Sequence, residues 1–259
     1  MAIELAETSV VIPCHNERHR LPVEELSAYL SGNPWMHFCF VDDGSTDGTI
    51  EVLDRLRHES NNRTLVIRLE KNRGKAEAVR QGILGSLVVF QSTYVGYLDA
   101  DLATPLFEIE RMIRTAEHMP DAVMFSACRF RRLGARIERK WWRHYLGRVF
   151  ASAASFAIDL PAYDTQCGAK LFRSEVAERI FSEEFISRWA FDTEIFVRVA
   201  QIMSEKKSTN GIVEIPLVEW QDKSGSKLTF RHSLRAFLDL CRIFRWRRQI
   251  SRVPEVNDR

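Results

Sequence analysis

In the first half of the chain, short apolar runs alternate with longer stretches of helical spacing. Residues 9–13, 37–41, 64–69, 94–98 and 122–126 are apolar or aromatic runs of strand length, bounded by proline, glycine or other turn residues. Between them, residues 21–30, 50–57, 76–89 and 105–118 repeat apolar side chains three and four positions apart, the signature of a helix with one buried face. Five such alternations at short spacing predict an α/β fold, a mostly parallel sheet with helices on both faces. No fixed-period repeat or low-complexity linker interrupts them. Neither G-x-G-x-x-G nor G-x-x-x-x-G-K-[ST] occurs, which argues against a dinucleotide-binding fold or a P-loop.

The character changes after Ser126. Arg129, Arg131, Arg132, Arg136, Arg139, Lys140, Arg143 and Arg148 set eight cations against one acid, Glu138. Within this block Trp141, Trp142, Tyr145, Leu146, Val149, Phe150 and Ala153 recur at helical spacing, with Lys140, Arg143, His144 and Arg148 mostly on the other side. A helix lying in a membrane interface has that form, and so has a helix packed on a core with a solvated basic face. Residues 164–168 read as a turn-rich loop, 169–172 as a strand, and Ser174 as the cap of a helix. Residues 191–203 read as a helix with Asp192 and Glu194 in its first turn, where the dipole favours acids. Residues 212–220 alternate around Pro216 and predict an edge strand. Beyond Lys227, an apolar stripe of Leu234, Phe237, Leu238, Cys241 and Phe244 is flanked by arginines. Such a segment suits anionic lipid headgroups, at about 1 kcal/mol per cation close to the surface. The expected organisation is a domain over residues 1–228, with a basic amphipathic segment at about 129–158, and a basic amphipathic helix and tail over 229–259.

Composition adds little and excludes some classes. Across 259 residues the chain is 45% apolar and 28% charged, with a net charge of +2, as in ordinary globular proteins. No nucleic-acid module accompanies the arginines, so a lipid surface ranks above nucleic acid as their partner. The five cysteines are odd in number and form no C-x-x-C pair, which fits reduced, buried thiols better than disulfides or a zinc site. The first residues lack a signal-peptide pattern, and no run approaches the ~18 apolar residues that a membrane span needs. The expectation is a cytoplasmic protein, free or at a membrane surface.

The chemistry centres on Asp99-Ala-Asp101, at the end of the apolar run 94–98 and just before Pro105. Carboxylates leaving a strand of an open α/β sheet stand in its usual ligand crevice. Two of them, one residue apart, offer oxygens to a hard divalent cation. Equally, Asp99 could end a strand while Asp101 caps a helix at Pro105.

Five blocks taken together weight these readings. They are Val10-Val-Ile-Pro-Cys-His-Asn-Glu17, Val41-Asp-Asp-Gly-Ser-Thr-Asp-Gly-Thr49, Asn72-Arg-Gly-Lys-Ala-Glu-Ala-Val-Arg-Gln-Gly82, Asp99-Ala-Asp101 and Asp164-Thr-Gln-Cys-Gly-Ala-Lys-Leu-Phe172. In this order they resemble the inverting glycosyltransferase family 2, in its dolichyl-phosphate glucosyltransferase and polyprenyl-phosphate sugar transferase branch. Trp189-Ala-Phe-Asp-Thr-Glu194 and Gly225-Ser-Lys-Leu228 add to the likeness. The resemblance implies a GT-A fold, a nucleotide-sugar donor such as UDP-glucose, and Mg²⁺ or Mn²⁺ held by Asp99 and Asp101. It places Pro13, His15, Glu17, Asp43, Gly74 and Lys75 around the donor, and Arg129, Arg139, Arg143 and Arg148 toward the phosphate of a lipid acceptor. Asp164 and Asp192 take orienting or catalytic roles beside Asp101. Ala103 stands where relatives often carry a glutamine ligand, and His15 where they often have tyrosine. A sugar-hydroxyl acceptor on the same fold, or a catalytically silent nucleotide-sugar binding module, are the alternatives.

Overall fold

The computed structural model describes residues 5–138, 141–205, 211–223 and 230–250, and within the helices the side chains of all but 141–146, 230–237 and 250. Seven strands form one sheet: β1 (Thr8–Cys14), β2 (Met36–Asp43), β3 (Thr64–Leu69), β4 (Tyr94–Leu98), β5 (Met124–Cys128), β7 (Ala169–Arg173) and β8 (Ile212–Pro216). Their order is β3-β2-β1-β4-β7-β5-β8. All neighbours are parallel except β7, which runs antiparallel between β4 and β5. The chain winds outward from β1 through β2 to β3, then crosses back to place β4 on the other side of β1. The order therefore reverses between β1 and β4, where open α/β sheets bind ligands.

Helices α1 (Val23–Gly32), α2 (Thr49–Glu59), α3 (Lys75–Val89), α4 (Leu106–Glu117), α6 (Ser174–Phe181) and α7 (Phe191–Glu205) cover the sheet. Two apolar cores result: Phe38, Phe40, Ile109 and Phe125 belong to one, and Val11, Val79, Tyr97 and Phe196 to the other. Helix α3 lies so close to the sheet that a Cβ on Gly82 would stand 2.3 Å from Val11 Cγ1. Two further helices, α5 (Trp141–Ile158) and α8 (Phe230–Ile250), pack against one another beside the sheet. Among the described residues, no helix is long and apolar enough to cross a membrane. Four cysteines are buried and Cys241 is exposed, all as free thiols.

Three expectations need correction. The edge strand expected over residues 212–220 breaks after Pro216, and β9 (Glu219–Gln221) pairs instead with β6 (Arg136–Glu138) in a two-stranded sheet. The cause is Glu108, fully buried on α4, whose Oε1 accepts the N–H groups of Val218 (2.7 Å) and Glu219 (2.9 Å) and draws the chain away. Ser174 is not a cap. Arg173 occupies that position, and Ser174 Oγ makes no hydrogen bond among the described residues. Finally, in the part of α5 whose side chains are described, Ala151, Ala154, Ala157 and Ile158 are buried and Phe150 and Ala153 pack on the core. Val149, expected on the same apolar face, points outward, as does Phe156. The side chains of Trp141, Trp142, Tyr145 and Leu146 lie outside the described residues.

Candidate active site

The cleft is built where the carboxyl ends of β2, β1 and β4 meet the N-terminus of α3. The loops leaving β1 and β2 are stitched together: Asn16 N–H donates to Ser45 Oγ, Thr46 N–H to Asn16 Oδ1, and Glu17 N–H to Thr49 Oγ1. Asp43, buried at the end of β2, accepts the N–H groups of Arg73 (2.6 Å) and Gly74 (2.9 Å) on its two oxygens. Gly44 turns the chain there at φ +66°, and any Cβ would meet the Lys71–Asn72 backbone at 2.6 Å, so only glycine fits. Burial raises the Asp43 pKa, while the two N–H donors, His15 and Arg188 act to lower it. The His15 ring stands over this turn, its Nδ1 2.9 Å from the Asp43 carbonyl. A carbonyl only accepts, so Nδ1 carries the proton in this bond.

Strand β4 is buried along its whole length and delivers Asp99 and Asp101 at its end. Asp101 Oδ1 accepts the N–H of Ala103 at 3.0 Å. This bond turns the loop two residues on, and α4 begins with no side-chain cap, so Asp101 is not the helix cap. Leu102 sits in the left-handed region at φ +48°, a strained conformation for a residue with a side chain. Asp99 packs on Gly168, where a Cβ would fall 2.0 Å from Asp99 Oδ2. Lys75, the first residue of α3, places Nζ 2.5 Å from Asp99 Oδ1. Burial works to lower the Lys75 pKa, but Asp99, Asp192 and Asp101 outweigh it and hold the ammonium above its ordinary value. Burial and the neighbouring Asp99 both push Asp101 up.

These parts enclose a cleft of about 290 Å³, lined by Pro13, His15, Glu17, Asp43, Gly74, Lys75, Asp99 and Asp101. All eight residues expected around a donor and metal thus face one space. Arg20 and Asn72 line it as well. Asn72 lies inside one of the sequence blocks, whereas Arg20 carries no sequence signal. Gly168, inside another block, is read from sequence only as part of a turn. Two nearby carboxylates are the donor set a hard divalent cation takes. Among the described residues no group of three or more His, Cys, Asp and Glu side chains could hold an ion, so further oxygens would come from a ligand.

None of the other expected residues lines this cleft among the described residues. Arg129 follows β5 and forks onto Asp164, Nε to Oδ2 at 2.7 Å and Nη2 to Oδ1 at 2.8 Å. Asp164 outweighs burial and keeps the Arg129 pKa above its ordinary value. Asp192 does not line the cleft. Its Oδ1 accepts from Lys170 Nζ at 2.6 Å and from the Tyr97 hydroxyl, with Lys170 and Tyr97 fully buried. Lys170 lies inside one of the sequence blocks, but a lysine in a strand normally faces water, so its pairing with Asp192 carries no sequence signal. Arg148 donates to the Tyr163 carbonyl at 3.0 Å and stacks over the Tyr163 ring, farther along α5. Arg139 and the Arg143 side chain lie outside the described residues, as does the block at Gly225.

Fold and cleft define a class: a GT-A-type α/β fold in which a pair of carboxylates, Asp99 and Asp101, opens into a cleft at the carboxyl ends of the central strands. The glycosyl transferase family 2 model matches residues 9–181, and the chain belongs to that family. It is 35% identical over 240 residues to the human dolichyl-phosphate β-glucosyltransferase, covering 86% of this chain and 69% of that one. Membership in this branch makes it a hexosyltransferase. Its fold is that of mannosyl-3-phosphoglycerate synthase from Rubrobacter xylanophilus, at a TM-score of 0.70, 18% identity, and coverage of 97% of this chain and 77% of that one. It is shared with glucosyl-3-phosphoglycerate synthase from Mycobacterium tuberculosis, solved with Mn²⁺, UDP-glucose and phosphoglyceric acid, at a TM-score of 0.66, 15% identity, and coverage of 92% and 80%.

Proposed function

We propose that this protein transfers glucose from UDP-glucose to a polyprenyl or dolichyl phosphate, with inversion, on the cytoplasmic surface of a membrane. One observation carries the reading: Asp99 and Asp101 open into the same cleft as Pro13, His15, Glu17 and Asp43. Each Asp43 oxygen has a second acceptor site beyond its backbone N–H, and the imide N–H of uracil can use one. The His15 ring, held by its bond to the Asp43 carbonyl, would stack on the base. Asp99 and Asp101 would hold Mg²⁺ or Mn²⁺ together with diphosphate oxygens, and the ion would neutralise charge on the leaving diphosphate. Lys75 and Arg20 add positive charge on the same side.

A lipid phosphate is already anionic near neutral pH, its second pKa being about 6. It needs cations to hold it in line with the anomeric carbon rather than a strong base. Arg129 and Arg148 are the candidates among the described residues. Asp164 takes two of the Arg129 guanidinium donors and fixes the plane of the fork. Arg139, Arg143 and Arg148 extend the basic segment from there. A hydroxyl acceptor would need a general base, but Asp164 and Asp192 are each ion-paired, to Arg129 and Lys170. This supports the phosphate acceptor. The outward Val149, Phe156 and Leu238 on α5 and α8, with Arg245 and Arg248 beside them, suit the interface where an isoprenoid chain lies.

The test is a donor screen with UDP-glucose, UDP-N-acetylglucosamine and GDP-mannose against polyprenyl phosphate in liposomes, with and without EDTA, read by mass spectrometry. Hexosyl polyprenyl phosphate from UDP-glucose, abolished by EDTA, is the expected product. Transfer only to sugar hydroxyls, or from no donor, contradicts the reading.

A further inference from the structure

Lys75 stands in an unfavourable place for a cation. It is the first residue of α3, whose N-terminus carries partial positive charge and favours anions. Its ammonium is kept there by carboxylates, with Asp99 Oδ1 at 2.5 Å and the charges of Asp192 and Asp101 close by. The ring faces of Tyr97 and Phe191 lie 5.8 and 5.7 Å from Nζ and bound its position on the inner side. The other Asp99 oxygen, Oδ2, rests on Gly168 with no room for even a methyl group between them. A divalent ion drawn to Asp99 and Asp101 must therefore share or take the oxygen that Lys75 holds.

We propose that Lys75 is an exchangeable counter-ion of the acidic pair: it competes with the divalent cation for Asp99, and the donor's diphosphate draws it away. The proposal rests on the donor-site reading above. When the cation takes Asp99, the ammonium is left at a helix N-terminus without its nearest partner. A diphosphate oxygen in the same cleft gives it one, and that exchange ties cation binding to nucleotide binding. By linkage, each ligand raises the affinity for the other by the same factor. Lys75 thus both suppresses binding of the bare cation and strengthens binding of the nucleotide, two effects of opposite sign on one side chain.

Opposite signs make the idea testable without turnover. Mn²⁺ binding, followed by electron paramagnetic resonance of the free ion, is titrated on the full chain with and without saturating UDP. The proteins compared are wild type, Lys75→Met and Lys75→Arg. Lys75→Met is expected to bind Mn²⁺ without nucleotide about tenfold more tightly than wild type, and to bind UDP less tightly in Mn²⁺, within the usual span of coupling factors. Lys75→Arg, which keeps the charge, is expected to bind Mn²⁺ alone as weakly as wild type. Unchanged or weaker Mn²⁺ binding by Lys75→Met overturns the exchange, as does Mn²⁺ binding by Lys75→Arg that matches Lys75→Met. If Lys75→Met does not fold, as judged by its melting temperature, the wild-type and Lys75→Arg titrations decide: saturating UDP must raise Mn²⁺ affinity in both, and failure in either overturns it. Wild type that binds no Mn²⁺ even with UDP would also overturn the donor-site reading beneath it, which the other failures leave standing.

Discussion

Gly168 illustrates how little room the acidic motif has. A Cβ at this position would lie 2.0 Å from Asp99 Oδ2, closer than any real contact allows, so Gly168→Ala must push the carboxylate out of place. The expected outcome is a loss of metal-dependent transfer of on the order of 10²-fold with a nearly unchanged melting temperature; wild-type rates for this variant would contradict it. Asp43 provides a pH test. Its ionised form accepts two backbone N–H groups, and burial raises its pKa above the ordinary carboxylate value. A raised pKa means that the proton arrives earlier on acidification, so UDP affinity should begin to fall at a higher pH than an ordinary carboxylate would give. Calorimetric titrations across pH should show this step in wild type and not in Asp43→Asn. Asp99 and Asp101 were legible in sequence as carboxylates at a strand end, and Pro13, His15, Glu17, Asp43, Gly74 and Lys75 through the family resemblance of the blocks that hold them. Arg20 and Gly168 were not, because each acts through a contact made only once distant segments meet.

Among the elements, β7 departs furthest from what alternation of strands and helices predicts. It enters antiparallel between β4 and β5 and brings with it Lys170, whose ammonium bonds the carbonyls of Thr165 and Cys167 and the Asp192 carboxylate. One buried ion pair thus joins β7, the 164–168 loop and the first turn of α7, directly behind Asp99. Lys170→Met should destabilise the protein by about 3–5 kcal/mol, because it strands the buried Asp192 charge, and adding Asp192→Asn should recover part of the loss. Urea unfolding measures both; a single variant within 1 kcal/mol of wild type, by the same reasoning, would contradict the pairing. The elements of the first half were readable because local periodicity and burial agree there. The break between β8 and β9 was not, since it depends on Glu108 on α4 capturing the N–H groups of Val218 and Glu219 from about a hundred residues away.

In the molecule as a whole, the proposed function divides the labour between the polar cleft at the strand ends and the apolar flank of the α5–α8 pair. Phe156 is 80% exposed and stacks on Phe244 of α8, while Val149 and Leu238 are 60% and 56% exposed. Replacing Phe156 and Leu238 together by aspartate should reduce sedimentation with anionic liposomes several-fold while leaving UDP binding intact; undiminished sedimentation would argue against this flank as the membrane face. Basic amphipathic segments were evident in sequence, but the orientation of α5 was not, because Val149 of the expected apolar face points outward while Ala151, Ala154 and Ala157 pack inward. The most direct test of the account as a whole is the initial rate of glucose transfer from UDP-glucose to polyprenyl phosphate by the Asp99→Ala, Asp101→Ala double variant. The account predicts a fall on the order of 10³-fold or more relative to wild type, as expected for loss of the electrophile at the leaving group. An unchanged rate would contradict it.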